Sequence, residues 1–326
     1  MVELGNREGP GIVGEQAYIS RSDDGDYYLS SSLGDGRLLR FSSDGVFQDA
    51  IGRSGEGPGE YIMPMLMGGS ADNLTILDVR GHRLTTIRNG EVSTISMSFP
   101  ANGHALLPDG RHLYSAILFE PDRIGHPLHV YDPESRRITR SFGDGGVRVD
   151  RSPRSSDAMN RRVAVAADGN IWAARINRYR IDKWNPDGDR IARIERDAPW
   201  FRPWLDFPER APMEDRPLPE LVGVRDWGDG LLMVVVRVAD KEWRPMGPAR
   251  IEQGHIVISG AQMEEFYNTV IEVLDTRSGT VLARTQIDAN VWLPVGQDGF
   301  HSYAEHSELG EPKHIVWSVG LSGYEW

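Results

Sequence analysis

A short Gly-rich phrase occurs more than once in this chain, and that recurrence limits the fold more than any other feature. "ELGNREGPG" at 3–11 matches "AIGRSGEGPGE" at 50–60, with Gly5 and Gly52 lying 47 residues apart. A degenerate copy, "SFGDGG" at 141–146, places Gly143 a further 91 residues on, about two more periods. Self-similarity at such a spacing marks a repeat architecture. "GRSGEGPGEY" (52–61) could be taken for a phosphate loop, but such a loop opens a helix and carries a Lys-Ser/Thr pair or a dinucleotide fingerprint. Here it runs into "YIMPMLMGG", whose proline and glycines start no good helix. The stretch therefore reads as a connector that leaves one strand and crosses to the next repeat, with Gly and Pro setting its turns.

Turn signals fill in the repeat. Asp24-Gly25, Asp72-Asn73, Asp109-Gly110, Asp168-Gly169, Asp229-Gly230 and Asp298-Gly299 each precede a β-type run, from "YYLSSS" to "FHSYAEH". A second set interleaves at Asp44-Gly45, Asn89-Gly90, "DPES" (132–135), Asp187-Gly188 and "DTRSG" (275–279). Asp-Gly between β-type runs is a strong hairpin signal. Six first hairpins and five second ones predict six four-stranded units (strands A to D), the last lacking its D strand. The N-terminal "ELGNREG" has the form of a D-strand ending and is placed to supply it. The predicted fold is an all-β, six-bladed β-propeller, one domain over 1–326, its ring closed by the N-terminal strand. A sandwich would not repeat at this period.

The "GxxGEGPGE" connector, "RFSSDG" (40–45) and "TVIEVLDTRSGTVLAR" (269–284) resemble the bacterial six-bladed propellers related to NHL and TolB-like repeats, over nearly the whole chain. The resemblance implies the fold and names no activity, because such folds host many functions. Members are commonly exported, so it implies an extracytoplasmic protein, periplasmic or secreted, whose leader is absent from this chain; a cytoplasmic one is the alternative.

Composition narrows the partners. A net charge of -12 offers no basic excess for nucleic acid. The absence of cysteine removes disulfides, thiol catalysis and Cys-ligated metals. No stretch approaches the ~18 consecutive apolar residues of a membrane span, and the first residues hold no signal-peptide hydrophobic region. A monomer is expected.

In a four-stranded meander the A–B and C–D turns share one face, and the B–C and D–A connections share the other. The long insertions all fall on the second: "EPDRIGHP" (120–127), 143–160, 197–220 and an excursion from about 239 to 268 in blade 5. Loops on a rigid scaffold carry binding residues. This face is the expected working face, for a small molecule, a glycan or a protein. Trp200, Phe201, Trp204 and Phe207 make 197–220 either a recognition loop able to stack on a ligand or a cap on the propeller's own core.

The positions where A strands begin hold Glu15, Tyr61, Asn102 with His104, Asn160 with Arg161, Glu220 and Asn290. Glu220, His104, Arg161 and Glu15 are the candidates for acid–base chemistry if the chain is an enzyme (a hydrolase, lyase or cyclase). Asn102, Asn160, Asn290, Tyr61, His126, Trp200, Trp204, His255 and Tyr267 are the candidates for ligand contact. No nucleophile elbow and no H-E-x-x-H motif occurs, so binding is the first reading and catalysis the alternative. "DVRGHR" (78–83) has catalytic residue types but falls on a B–C turn of blade 2. Glutamates and amides are oxygen donors of the kind calcium takes, and six-bladed lactonases and gluconolactonases hold calcium on a Glu/Asn/Asp set. This chain departs from that set, with no Asp at the start of an A strand. No cofactor is assigned, and calcium is the metal to test.

Overall fold

The computed structural model describes residues 1–5, 11–14, 17–30, 35–97, 103–144, 149–151, 153–205, 215–245, 250–252, 255–257, 260–295, 299–305 and 312–321. Its main elements are six four-stranded antiparallel sheets, the six blades of a β-propeller. After β1 (Val2–Leu4), blade 1 is β2 (Tyr18–Arg21), β3 (Tyr27–Ser30), β4 (Leu38–Phe41) and β5 (Phe47–Ile51). The connector forms β6 (Arg53–Ser54) and β7 (Glu60–Tyr61). Blade 2 is β8 (Pro64–Ser70), β9 (Asn73–Asp78), β10 (Arg83–Arg88) and β11 (Glu91–Ser96). Blade 3 is β12 (Gly103–Leu106), β13 (His112–Ser115), β14 (Leu128–Asp132) and β15 (Arg137–Phe142). Helix α1 (Pro153–Met159) leads to blade 4, made of β16 (Arg161–Val165), β17 (Ile171–Arg175), β18 (Arg180–Trp184) and β19 (Arg190–Glu195). Blade 5 is β20 (Glu220–Gly228), β21 (Leu231–Ala239), β24 (Tyr267–Asp275) and β25 (Val281–Ile287). Its excursion holds β22 (Arg250–Glu252), β23 (His255–Val257) and α2 (Gly260–Phe266). Blade 6 is β26 (Val291–Val295), β27 (Gly299–Glu305) and β28 (Pro312–Ser318), and β1 is its fourth strand, with Val2 opposite Val316 and Leu4 opposite His314. The chain forms two compact units, one holding blades 1, 2 and 6 and the other blades 3, 4 and 5.

Burial follows strand position. The second strands β3, β13 and β17 are buried along their whole length, while the fourth strands β11 and β25 are largely exposed. Within a unit, neighbouring blades press their faces together: Trp172, Ile181, Leu221, Leu232 and Val234 form one core between blades 4 and 5. Leu4, Leu29, Phe41 and Val316 form another between blades 6 and 1. The hairpins between third and fourth strands share a device that the sequence pattern does not reveal. Register shifts occur at Arg40/Phe41, Val130/Tyr131, Lys183/Trp184 and Val273/Leu274, near the end of the third strand in four blades. A bulge there adds twist to the outer strand.

The connector is a folded object in its own right. β6 and β7 pair in parallel, Arg53 opposite Glu60 and Ser54 opposite Tyr61. Glu60 accepts from Gly57 N at 2.8 Å and from Arg53 Nε at 3.0 Å. Gly52 has φ +81°, and a Cβ on it would lie 2.4 Å from the Tyr61 ring, so no other residue fits. "DVRGHR" supplies the clamp. Asp78, fully buried, accepts from the backbone N–H of Ile62, Met63 and Gly81 at 2.9–3.1 Å. Arg83 bonds Asp78 at 2.8 Å and donates to the carbonyls of Gly55, Glu56 and Glu60. Burial pushes the Asp78 carboxyl up, but the Met63 N–H, the Arg83 guanidinium and the Ile62 and Gly81 N–H groups outweigh it and hold the group below its ordinary range.

Asp78→Ala is expected to cost about 3–5 kcal/mol in urea unfolding, because it leaves three backbone donors without their acceptor and Arg83 without its carboxylate. A cost under about 1 kcal/mol would show that the connector holds itself. Four buried histidines generate a second expectation. Burial pushes His112 and His129 down to about 4 and His301 to about 3, with the charge of His104 adding to the first and that of His314 to the third; burial also lowers His314. The folded protein thus binds fewer protons than the unfolded chain. Stability is whole above the unfolded value near about 6.5 and is lost as pH falls from there toward the folded values. Each unit of depression is worth about 1.4 kcal/mol. The thermal midpoint should therefore fall steeply between about pH 7 and about pH 5, and His301→Phe should flatten that slope; an unchanged slope would contradict the assignment.

Candidate functional site

All four long connections join strands of blades 3, 4 and 5, and all leave from the ends where first strands begin. At the start of blade 4, Arg161 is buried and donates to no carboxylate among the described residues. Its Nη1 donates to the carbonyls of Ala158 and Asn160 at 2.6 and 2.9 Å, and its Nη2 to that of Asp144 at 2.8 Å, while its backbone N donates to Ser115 Oγ. Arg175, opposite it on β17, donates to the same Asp144 carbonyl at 2.7 Å. Burial, with Arg175 beside it, pushes the Arg161 guanidinium down to about 9, so it stays protonated at neutral pH. Arg161 fastens the blade 3–4 crossing; nothing in its geometry moves a proton.

Glu220 begins β20. Its Oε2 accepts from Arg237 Nη2 at 2.7 Å, and its Oε1 lies 3.5 Å from Arg162 Nη2. The Arg237 guanidinium lies 4.9 Å from the centre of the Tyr267 ring. A carboxylate whose two oxygens face guanidiniums is a poor base and a poor metal ligand, since a cation already stands at each oxygen. Glu220 therefore does not fit a lactonase-type calcium site. Among the described residues no group of three or more His, Cys, Asp and Glu could hold a metal ion.

The other sequence candidates are dispersed. Tyr61 is buried with its ring against Gly52, in the core of blades 1 and 2. His104 starts blade 3 opposite Tyr114, and His126 bonds the Gly143 carbonyl through Nδ1 at 3.2 Å. Asn290 is fully buried and donates its backbone N–H to Glu264 at 2.8 Å, while its side-chain amide has no hydrogen-bond partner among the described residues. Asn160 precedes Arg161, and its Oδ1 is likewise buried without a partner. His255 falls in β23. Glu15, Asn102 and Phe207 lie outside the described residues.

The aromatic crossing divides in two. Phe201 and Trp204 are buried, and Trp204 is pinned: its Nε1 donates to Pro219 O at 2.7 Å, and Asn177 Nδ2 donates to its carbonyl at 2.9 Å. These rings cap the blade 4–5 core. Trp200 stays half-buried and walls a groove of about 530 Å³. Val238, Ala239, Val270, Leu218, Pro217 and Pro219 supply its apolar lining. Around these stand Arg202, Arg216, Lys241 and Arg284, with Gln286 beside Arg284 on the same face of β25. The described lining contains no Asp or Glu, in a chain of net charge -12.

The cations are held at different firmness. Arg216 Nη2 donates to the Asp240 carbonyl at 3.2 Å. The Arg284 guanidinium lies 4.7 Å from the Trp200 ring centre, and its Nε is 3.7 Å from Glu272 Oε1. Buried Glu272 also accepts from the Tyr179 hydroxyl at 2.5 Å and pairs with Arg196. Burial and the Glu272 charge push the Tyr179 hydroxyl far up, so it remains a neutral donor. Tyr179 and Phe201 meet the Trp200 ring edge to face, with centroids 6.1 and 6.0 Å away. Sequence reading missed Arg202, Arg216, Lys241, Arg284 and Glu272. The available signal was the alternation of Arg284 and Gln286 along an exposed strand.

No protein-family model matches the chain, and no curated protein matches it by sequence. Its structure is similar to that of a protein from Bacteroides fragilis NCTC 9343 named as exported, with TM-score 0.63 and 12% identity, over 98% of this chain and 94% of that one. It is also similar to a member of the duf4221 family from Bacteroides vulgatus ATCC 8482, with TM-score 0.62 and 7% identity, over 98% and 97% of the two chains. The likeness is one of fold. At these identities it assigns neither ligand nor reaction.

Glu220→Ala is expected to lower stability by about 3–5 kcal/mol, since buried Arg237 and partly buried Arg162 lose the carboxylate they share. Calcium added to the wild-type protein is expected to leave its thermal midpoint where it was; a calcium-dependent rise would reinstate a metal at this end of the blades.

Proposed function

We propose that this chain is a ligand-binding propeller that takes an anionic small molecule at the loop-bearing end of blades 4 and 5. The observation that carries the reading is the groove beside Trp200, with four cations and no carboxylate among its described lining. Its volume of about 530 Å³ lies in the range of small-molecule sites. The described lining also lacks imidazole and hydroxyl groups, which favours binding over acid–base catalysis. Four cations in a chain of charge -12 suit a small anionic ligand and not a nucleic-acid track. An extracytoplasmic place among NHL- and TolB-like propellers belongs to the same reading. It is supported by the Gly-rich connector and by the exported name of the Bacteroides fragilis neighbour. No helix among the described residues is long and apolar enough to cross a membrane.

Calorimetric titration with citrate and inorganic tripolyphosphate tests the proposal, with spermine as the cationic control. Both anions should bind, and their affinity should fall as salt is raised. The double variant R202A/K241A, at two exposed positions, should weaken binding by about tenfold, or about 1.4 kcal/mol, without lowering the thermal midpoint. Equal binding of spermine, or anion binding that ignores the double variant, would overturn it.

A further inference from the structure

We infer that the groove beside Trp200 is a site for an anionic oligosaccharide, two or three sugar rings long, whose carboxylate or sulfate groups meet the surrounding cations. The inference rests on the anion-binding reading above and adds the ligand's body to its charge. Four features of the groove lead there.

First, the cations come from separate stretches of chain. Arg202 and Arg216 stand at two points of the blade 4–5 crossing, Lys241 follows β21, and Arg284 projects from β25. A lone phosphate is gripped by converging donors of one loop or helix end. Cations spread around a groove of about 530 Å³ ask for negative charges spread along a ligand.

Second, the surface between the cations is apolar and stiff. Trp200 is a flat, half-buried wall with few rotatable bonds, and partly buried Leu218 and Val238 also line the groove. Such walls match the C–H faces of pyranose rings, which are rigid, whereas a flexible aliphatic polyacid would lose conformational freedom on lying against them. Third, Gln286 places an amide, both donor and acceptor, at the rim, which suits ring hydroxyls that need the same pair of functions.

Fourth, one cation is fixed before any ligand arrives. Arg284 is stacked on Trp200 and held near buried Glu272, which Tyr179 and Arg196 also grip. A guanidinium already oriented gives up little freedom on binding and presents a planar fork to a carboxylate or sulfate. Glu272 is a positioning residue in this account. It contacts Arg284, and Arg284 contacts the sugar acid.

The test titrates the full chain with trigalacturonate, a heparin-derived sulfated disaccharide, neutral maltotriose, hexaglutamate and citrate. Trigalacturonate or the sulfated disaccharide should bind at least about tenfold tighter than maltotriose and tighter than citrate; which of the two prevails separates carboxylate from sulfate recognition. Trp200→Ala should weaken the favoured saccharide by about tenfold or more, and by a larger factor than it weakens citrate, which loses only the fixed orientation of Arg284. Should that variant fail to fold, Arg284→Gln keeps the ring and should weaken the acidic saccharide selectively over maltotriose. Saccharides bound no better than maltotriose overturn the inference. Citrate binding with neither acidic saccharide overturns it too and leaves the anion reading standing. Tighter binding of hexaglutamate than of either saccharide would give the groove to an acidic peptide instead. No binding by any of the anions overturns both readings.

Discussion

The antiparallel pairing of Val2–Leu4 with the last strand is the contact on which the sixth blade depends. Three strands from the C-terminal end form β26 to β28, and without β1 the outer one would present a row of unpaired backbone groups. The pairing does more than satisfy hydrogen bonds. Leu4 is fully buried with Val316 of its own blade and with Leu29, Leu39 and Phe41 of blade 1. Three residues thus complete one blade and anchor it to its neighbour. Lys313 adds an ion pair to Glu3 across the same two strands at 2.9 Å, a contact of the exposed sort that contributes little by itself. Apolar burial does most of the holding, at about 25 cal/mol per Å² removed from water.

What could be read from the sequence was what is local. Asp-Gly turns announce hairpins within a few residues of themselves, so blade number, strand order and the N-terminal origin of the twelfth hairpin's missing partner were legible. The Gly-rich connector could be called structural because it recurs. Its clamp could not, because Asp78 and Arg83 act on main-chain groups of residues 55–63, and no spacing rule pairs a B–C turn with the preceding crossing. The groove is harder still. Trp200, Glu272 and Arg284 come from a crossing and two strands, brought together by the packing of blade 5 on blade 4. The four rings of 197–220 looked alike as a string; Trp204 is held by Asn177, 27 residues before it, and by Pro219, 15 residues after it.

The arginines show two ways of keeping a cation in a protein of net negative charge. At the start of blade 4, Arg161 and Arg175 turn inward and spend their donors on backbone carbonyls, among them the shared carbonyl of Asp144. A guanidinium can do this because its donors are fixed in a plane and its hydration is weak. In the groove the cations face outward, and only part of their hydrogen-bonding capacity is used within the protein for Arg216 and Arg284. The first set braces the fold. The second set is available to something outside it.

Assembling one blade from both ends of the chain has a consequence for synthesis. A ribosome delivers the chain from its N-terminus, and domains begin to fold as they emerge. Blades 1 to 5 are contiguous in sequence and can form in order, but Val2–Leu4 must wait until residues 312–318 have been made. Throughout translation the nascent chain therefore carries an unpaired strand with an apolar Leu4 at its leading end, beside a blade whose matching core is already present. The sixth blade is therefore completed only when Val2–Leu4 meets Pro312–Ser318.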